Sequence, residues 1–262
     1  MIEMMKNLVI AVSPDSSLEL LQPFADILVL DKRLIDYGDK FYETVYIRSH
    51  FSQQSTSPEN FRNEIDRIVQ QVKAKNLNVK FIDNVDNVDT IVAFEDKWLQ
   101  YVTFAKFMPR TEIYSNNIST SSFVRPVFKN RLSSRGSGVT WDKDKVSRLR
   151  SDWIVQESLE IQEELRVYII RDEVYPVGVV KQSMTEGSKA QGLSSRSLRY
   201  DEISFLTNII KQVPKLEFVG IDIARSTNGG LNLIEVNRSP GFARFFDLTG
   251  VNLAHQLYKD QV

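Results

Sequence analysis

The chain reads as a mixed α/β (α+β) protein, a short α/β unit followed by antiparallel hairpins with helices. Three observations predict this. Short apolar runs alternate with a helical repeat in the first third, hairpin signals take over from Pro126, and an Asn-Gly turn joins two strand-like segments near the C-terminus. The runs at 8–12, 27–30 and 45–47 are the first strands. Ser57 as cap with Pro58 at the first helical position starts a helix, in which Phe61, Ile65, Ile68, Val69 and Val72 recur at helical spacing and so pack on a sheet. A second helix is predicted around 95–108, with Trp98, Tyr101, Val102, Ala105 and Met108 on one face, and Pro109 ends it. Val127-Phe128 and Val139 flank a loop, and 165–180 forms a hairpin turning at Arg171-Asp172-Glu173.

Composition excludes several classes. The 33 basic and 34 acidic side chains leave a net charge of −1, so no global field favours nucleic acid or an anionic membrane, and any anionic ligand must be held by a local cluster. The absence of cysteine removes disulfides, thiolate metal sites and cysteine nucleophiles, and fits a reducing compartment. The first residues lack the basic and long apolar regions of a signal peptide, and no apolar run approaches the ~20 residues of a membrane span, so the expected location is cytoplasmic.

The hairpin at Asn228-Gly229 carries the first chemical expectation. If those two residues form a type I′ loop, Thr227 faces Gly230, and counting back along both strands sets Asp222 opposite Glu235. Side chains alternate, so Asn237 shares the face of Glu235. Like charges directly across a ladder destabilise it, unless a hard cation lies between them. Asp222, Glu235 and Asn237 are therefore a candidate divalent-metal site. The alternative is a hairpin whose charges face water.

Other groups are individually weaker. The Gly/Ser loop at 133–138 has small residues that let backbone N–H groups approach phosphate, but it lacks the P-loop pattern. Lys129 precedes it and can reach a phosphate or simply protect a sheet edge. Gln156, Glu157 and Ser158 end an apolar strand and can present backbone N–H and C=O groups to a planar base. Glu164 and Arg166 share a strand face, Lys181 lies on the hairpin partner of that strand, and Arg238 stands next to Asn237 before the Pro240-Gly241 turn. Each of these is also readable as a surface ion pair. His50 and His255 read as structural.

The order of these segments is informative. Asp96-Lys97, Pro109-Arg110-Thr111, Pro126-Val127-Phe128-Lys129 with its Gly/Ser loop, Gln156-Glu157-Ser158-Leu159, Glu164-Leu165-Arg166, Gly220-Ile221-Asp222 and Glu235-Val236-Asn237-Arg238-Ser239-Pro240-Gly241 together resemble the ATP-grasp superfamily, in its RimK-like branch of carboxylate–amine ligases. The resemblance runs from about Asp96 to Phe246. It implies an ATP-grasp fold with ATP bound between two antiparallel-sheet subdomains, divided at 1–92 (N-terminal α/β), 93–156 (small subdomain) and 157–262 (catalytic subdomain). It implies ATP contacts by Lys97, Lys129, Ser134, Gly136, Gln156, Glu157 and Ser158, a ribose contact by Glu164, and metal ligation by Asp222, Glu235 and Asn237. Arg166, Arg238 and Lys181 are the expected catalytic cations. The cofactors implied are ATP and Mg²⁺, with Mn²⁺ as a substitute, and the partners are small-molecule or peptide carboxylates and amines, with a homo-oligomer left open and neither nucleic acid nor membrane.

The activity implied is amide or peptide bond formation through an acyl phosphate, with ADP and phosphate released. Two rivals accompany it, a small-molecule kinase on the same fold and a nucleotide-binding module without turnover. The segment at 187–195 lacks the Arg-Ser-Asn motif of this branch, so the identity of the acid and the amine does not carry over.

Overall fold

The computed structural model describes residues 4–30, 36, 38, 40–48, 58–84, 88–114, 122–133, 138–146, 152–181, 192–212 and 216–259. The first strands, β1 (Met4–Ala11), β2 (Asp26–Val29), β3 (Phe41–Arg48) and β4 (Lys80–Phe81), form a parallel sheet in the order β2-β1-β3-β4. Helix α1 (Leu18–Leu21) lies between β1 and β2, and α2 (Pro58–Lys75) has the proline at its first position as predicted. This sheet is covered on both faces, as parallel sheets are. Leu8, Ile10, Val45 and Ile47 pack with Phe61, Ile65, Ile68, Val69 and Val72 of α2. Val9, Ala11 and Tyr46 face the other way, into a core shared with Tyr168, Phe218 and Phe242 of the C-terminal half.

The helix predicted around 95–108 is the shorter α4 (Lys97–Phe104), and a helix that was not predicted, α3 (Val88–Glu95), precedes it. Asp96 between them is extended, and its carboxylate accepts the Trp98 N–H at 2.8 Å as an N-cap, which restarts the helix. The buried face of α4 is also not the one predicted. Gln100 and Phe104 point inward, whereas Val102 is exposed. The reason is that α4 leans on a sheet edge through an amide as well as through apolar surface.

Strands β5 (Thr111–Ile113), β6 (Pro126–Asn130), β7 (Val139–Thr140) and β8 (Trp153–Glu157) make an antiparallel sheet, β5-β8-β6-β7, around Tyr114, Phe123, Phe128, Trp153 and Val155. The third sheet runs β12-β11-β9-β13-β14, with β10 attached to β9. Its strands are β9 (Ile161–Ile170), β10 (Glu173–Val174), β11 (Val177–Lys181), β12 (Gly192–Ser197), β13 (Phe218–Ser226) and β14 (Leu231–Asn237). The helices here are α5 (Tyr200–Ile210), α6 (Ala243–Thr249) and α7 (Leu253–Leu257).

Alternation along β9 and β13 divides this third sheet. Leu165, Val167, Ile169, Val219, Ile221 and Ile223 meet Leu206 and Ile209 of α5 on one face. On the opposite face Tyr168 and Phe218 join the core shared with the first sheet, and farther along the same rows stand Arg166, Glu164 and Asp222. The site is thus the polar continuation of an aromatic face.

The C-terminal hairpin reaches the expected pairing by an unexpected route. The loop is not a two-residue type I′ turn. The Gly229 N–H bonds to the Ser226 carbonyl, Gly229 alone takes a positive φ (87°), and Ser226 faces Gly230, which is a type I turn followed by a glycine bulge. That shifts the register by one, giving Ile223 opposite Leu233. A second irregularity between Asp222 and Ile223 restores it, so that Asp222 does pair with Glu235 and Gly220 with Asn237. The bulge also explains why Leu233 and Val236, three apart, enter the same core. Gly220 has its own requirement: a Cβ there would lie 2.6 Å from Cβ of Pro240, so the Gly-x-Asp and Ser-Pro-Gly segments are matched pieces of one packing contact.

Candidate active site

Cross-strand pairing assembles the centre. Arg166 pairs with Asp222, and Glu164 with Lys181, across neighbouring strands of one face. Arg166 grips Asp222 in a bidentate pair, Nε to Oδ1 and Nη2 to Oδ2, both at 2.7 Å. Lys181 Nζ bonds to Oδ2 of Asp222 at 2.8 Å and to the carboxylate of Glu164. Burial alone would raise the Asp222 carboxyl, but Arg166 and Lys181 overcome it and hold it well below the usual carboxylate range. Burial works against Lys181 too, and Asp222 reverses it, so its ammonium is held above the ordinary value.

Glu235 faces Lys97, whose Nζ lies 3.7 Å from Oε1 and also donates to the Ser133 carbonyl. The repulsion expected between Asp222 and Glu235 is therefore met by protein cations, different ones for each. Lys129 donates to Oε1 of Gln156 at 2.6 Å, Nε2 of Gln156 donates to Oγ1 of Thr111 at 2.8 Å, and that hydroxyl donates to the Pro109 carbonyl. Burial, and then Lys97, lower the Lys129 ammonium to about 8. Lys97, Lys129, Arg166 and Lys181 stand against Glu164, Asp222 and Glu235, an excess of one positive charge for an anionic ligand.

Several expected residues stand elsewhere. Arg238 does not converge with Arg166. It is fully buried, donates from Nη1 to the Ile47 carbonyl at 2.8 Å, and lies 3.7 Å from Asp83 and 3.9 Å from Glu95. The alternation that sets Asn237 on the face of Glu235 turns its neighbour away from that face. Glu157 uses its carboxylate on the Val124 and Arg125 N–H groups, and the Ser158 N–H bonds to the Arg125 carbonyl, so these two brace the loop before β6. Ser134 and Gly136 lie outside the described residues.

The metal set is tested by its donors. Two carboxylates in register and a neighbouring carboxamide supply hard oxygens. That set fits a hard cation. Among the described residues no three His, Cys, Asp or Glu side chains converge.

Sequence reasoning missed the supports. Gln100 donates from Nε2 to the carbonyls of Val236 (2.9 Å) and Phe94 (2.7 Å), and its Oε1 accepts the Val236 N–H at 2.9 Å. It acts as a surrogate strand on the edge of β14, between Glu235 and Asn237. Asp96, besides capping α4, binds Arg131 from β6's end (Nε to Oδ1, 3.0 Å), which ties the Lys97 segment to the Lys129 segment. Its capping signal was visible in the sequence; Gln100 and Thr111 carried none.

A family model of the RimK-like ATP-grasp domain matches residues 108–260, more than half of the chain, and the chain belongs to that family. It is accordingly an ATP-dependent carboxylate–amine ligase. The fold is similar to that of D-cycloserine synthetase DcsG (13% identical, covering 98% of this chain and 100% of that one, TM-score 0.71). It is similar also to ATP-grasp ligase PsnB complexed with a phosphomimetic variant of a minimal precursor, Mg and ADP (15%, 98% and 98%, 0.67). Macrocyclase MdnB from Microcystis aeruginosa MRC is a third (15%, 96% and 99%, 0.65). No curated protein matches the sequence. Among the described residues no helix is long and apolar enough to cross a membrane.

Proposed function

We propose that the cleft between the second and third sheets binds ATP and that the ligase joins a peptide carboxylate to an amine. The observation that carries the reading is the convergence of Lys97, Lys129, Lys181 and Arg166 on a face that also holds Glu164, Asp222 and Glu235. Lys129 and Lys97 attract the phosphates, and Glu164 accepts from the ribose hydroxyls. Asp222, Glu235 and Asn237 would hold Mg²⁺, which supplies charge neutralisation across the phosphates. A substrate carboxylate oxygen then attacks the γ-phosphorus as the bond to ADP breaks. The amine adds to the acyl carbon, phosphate leaves, and the amine gives up a proton. Arg166 and Lys181 flank the spot where negative charge builds in both steps.

Peptide substrates are favoured because PsnB is complexed with a precursor and MdnB is a macrocyclase, and both align over nearly the whole chain. The test is a screen of peptides and free amino acids for release of ADP and phosphate, with mass spectrometry of the products. A peptide product lighter by one water supports the reading. A dehydrated conjugate of free amino acids only would replace the peptide with a small molecule, and a product carrying added phosphate would overturn ligation.

A further inference from the structure

The Lys181 ammonium occupies a place where a metal-site carboxylate would need its own cation. It bridges Glu164 and Oδ2 of Asp222, while Arg166 takes Oδ1 and Oδ2 together. A carboxylate offers about four lone-pair directions. Three of those on Asp222 are filled, and Oδ2 is saturated. Glu235, by contrast, meets Lys97 only at 3.7 Å.

The two cations on Asp222 differ in their freedom to leave. Arg166 is held by two bonds from a planar fork on the adjacent central strand. Lys181 is a point charge on a flexible stem, at the last residue of β11, where the pairing with β12 shifts register. Its second partner, Glu164, is the group assigned above to the ribose.

We propose that Lys181 is an internal counter-cation that the nucleotide must draw off before Asp222 takes a divalent ion, which makes metal and nucleotide bind as a coupled pair. The ribose hydroxyls compete for Glu164, and the phosphates offer the ammonium a denser anion than Asp222. Lys181 thereby becomes a positioning residue for the metal ligand, and the nucleotide-free protein is kept from loading metal alone. The inference rests on the assignment of Asp222, Glu235 and Asn237 to the metal.

The experiment reads free Mn²⁺ by electron paramagnetic resonance as nucleotide-free protein is added, with circular dichroism as the check on folding. Lys181→Met and Lys181→Gln should bind Mn²⁺ about tenfold or more tighter than wild type, the scale on which one neighbouring charge alters the cation affinity of a carboxylate. Adding Asp222→Asn to Lys181→Met should abolish that gain. Equal affinity in wild type and the Lys181 variants would overturn the coupling, as would a gain that survives Asp222→Asn. Wild type alone also decides: tight Mn²⁺ binding without nucleotide refutes the proposal even if the variants unfold. Wild type with ADP separates the two readings, since Mn²⁺ uptake there sustains the metal assignment, and its failure removes the assignment and the coupling together.

Discussion

Replacing Gln100 by methionine keeps the volume of the side chain and removes its polar tip. The amide satisfies the N–H and the carbonyl of Val236, a residue with no exposed surface, and Gln100 is itself 2% exposed, so water cannot take over. A buried backbone group left without a partner costs about 1–3 kcal/mol, so the two groups of Val236 and the carbonyl of Phe94 together make the expected loss about 3–9 kcal/mol. That is a large share of the ~5–15 kcal/mol that holds a typical domain. Urea unfolding should show the loss as a lower midpoint at unchanged slope. Because Val236 lies between Glu235 and Asn237, Mn²⁺ affinity in the presence of ADP should fall as well. A loss below about 0.5 kcal/mol, with metal affinity intact, would mean that the amide does not clamp β14, and the support assigned to α4 would be wrong.

Asp222→Asn and Glu235→Gln should each abolish metal-dependent turnover, measured as ADP release. Asp222→Asn should also lower the melting temperature, because Arg166 and Lys181 lose the charge they share; an unchanged or higher value would show that the two carboxylates repel after all. ATP affinity should fall as pH rises through about 8, where Lys129 gives up its proton, while adenosine affinity stays level; calorimetry across pH 7–9 that finds both level would move Lys129 off the phosphates. Thr111→Val should weaken ATP more than adenosine, with Thr111→Ser restoring the difference, since only the hydroxyl orients the Gln156 amide toward Lys129. Arg238→Met should cost about 3–5 kcal/mol at alkaline pH, measured by denaturation, because it strands the ionised Asp83 there. Burial, only partly offset by Arg238, raises the Asp83 carboxyl to about 7, so its contribution is full below about 4, the unfolded value, and is lost as pH rises through 7. The variant should be least stable at alkaline pH, and a flat profile would argue against that pair.

Much of the fold was legible because it is periodic. The α2 stripe and the runs of β1 and β3 announce themselves within a few residues. The pairing of Asp222 with Glu235 was legible too, but through two offsetting errors: a three-residue glycine-bulge loop in place of the type I′ turn, and a bulge in β14 that corrected the register. Gln100 was not legible, since its partner lies 136 residues away and a polar residue within an apolar helix face looks like noise. Arg238 was misjudged from adjacency, because proximity in sequence to Asn237 outweighed the strand alternation that separates them. The loop-bracing use of the Glu157 carboxylate was not legible either, since its partners at Val124 and Arg125 lie more than 30 residues away.

The segment that matches the family begins at residue 108, yet the molecule does not divide there. Tyr168, Phe218 and Phe242 share one core with Val9, Ala11 and Tyr46, and Lys97 and Gln100 precede the matched segment. The matched segment is therefore not an exchangeable cassette. A chimaera grafting residues 108–260 onto a relative's N-terminal part would set an aromatic face against a surface not shaped for it, and would leave β14 without its clamp. Recombination among such ligases should succeed only where the first sheet and α4 travel with the catalytic strands.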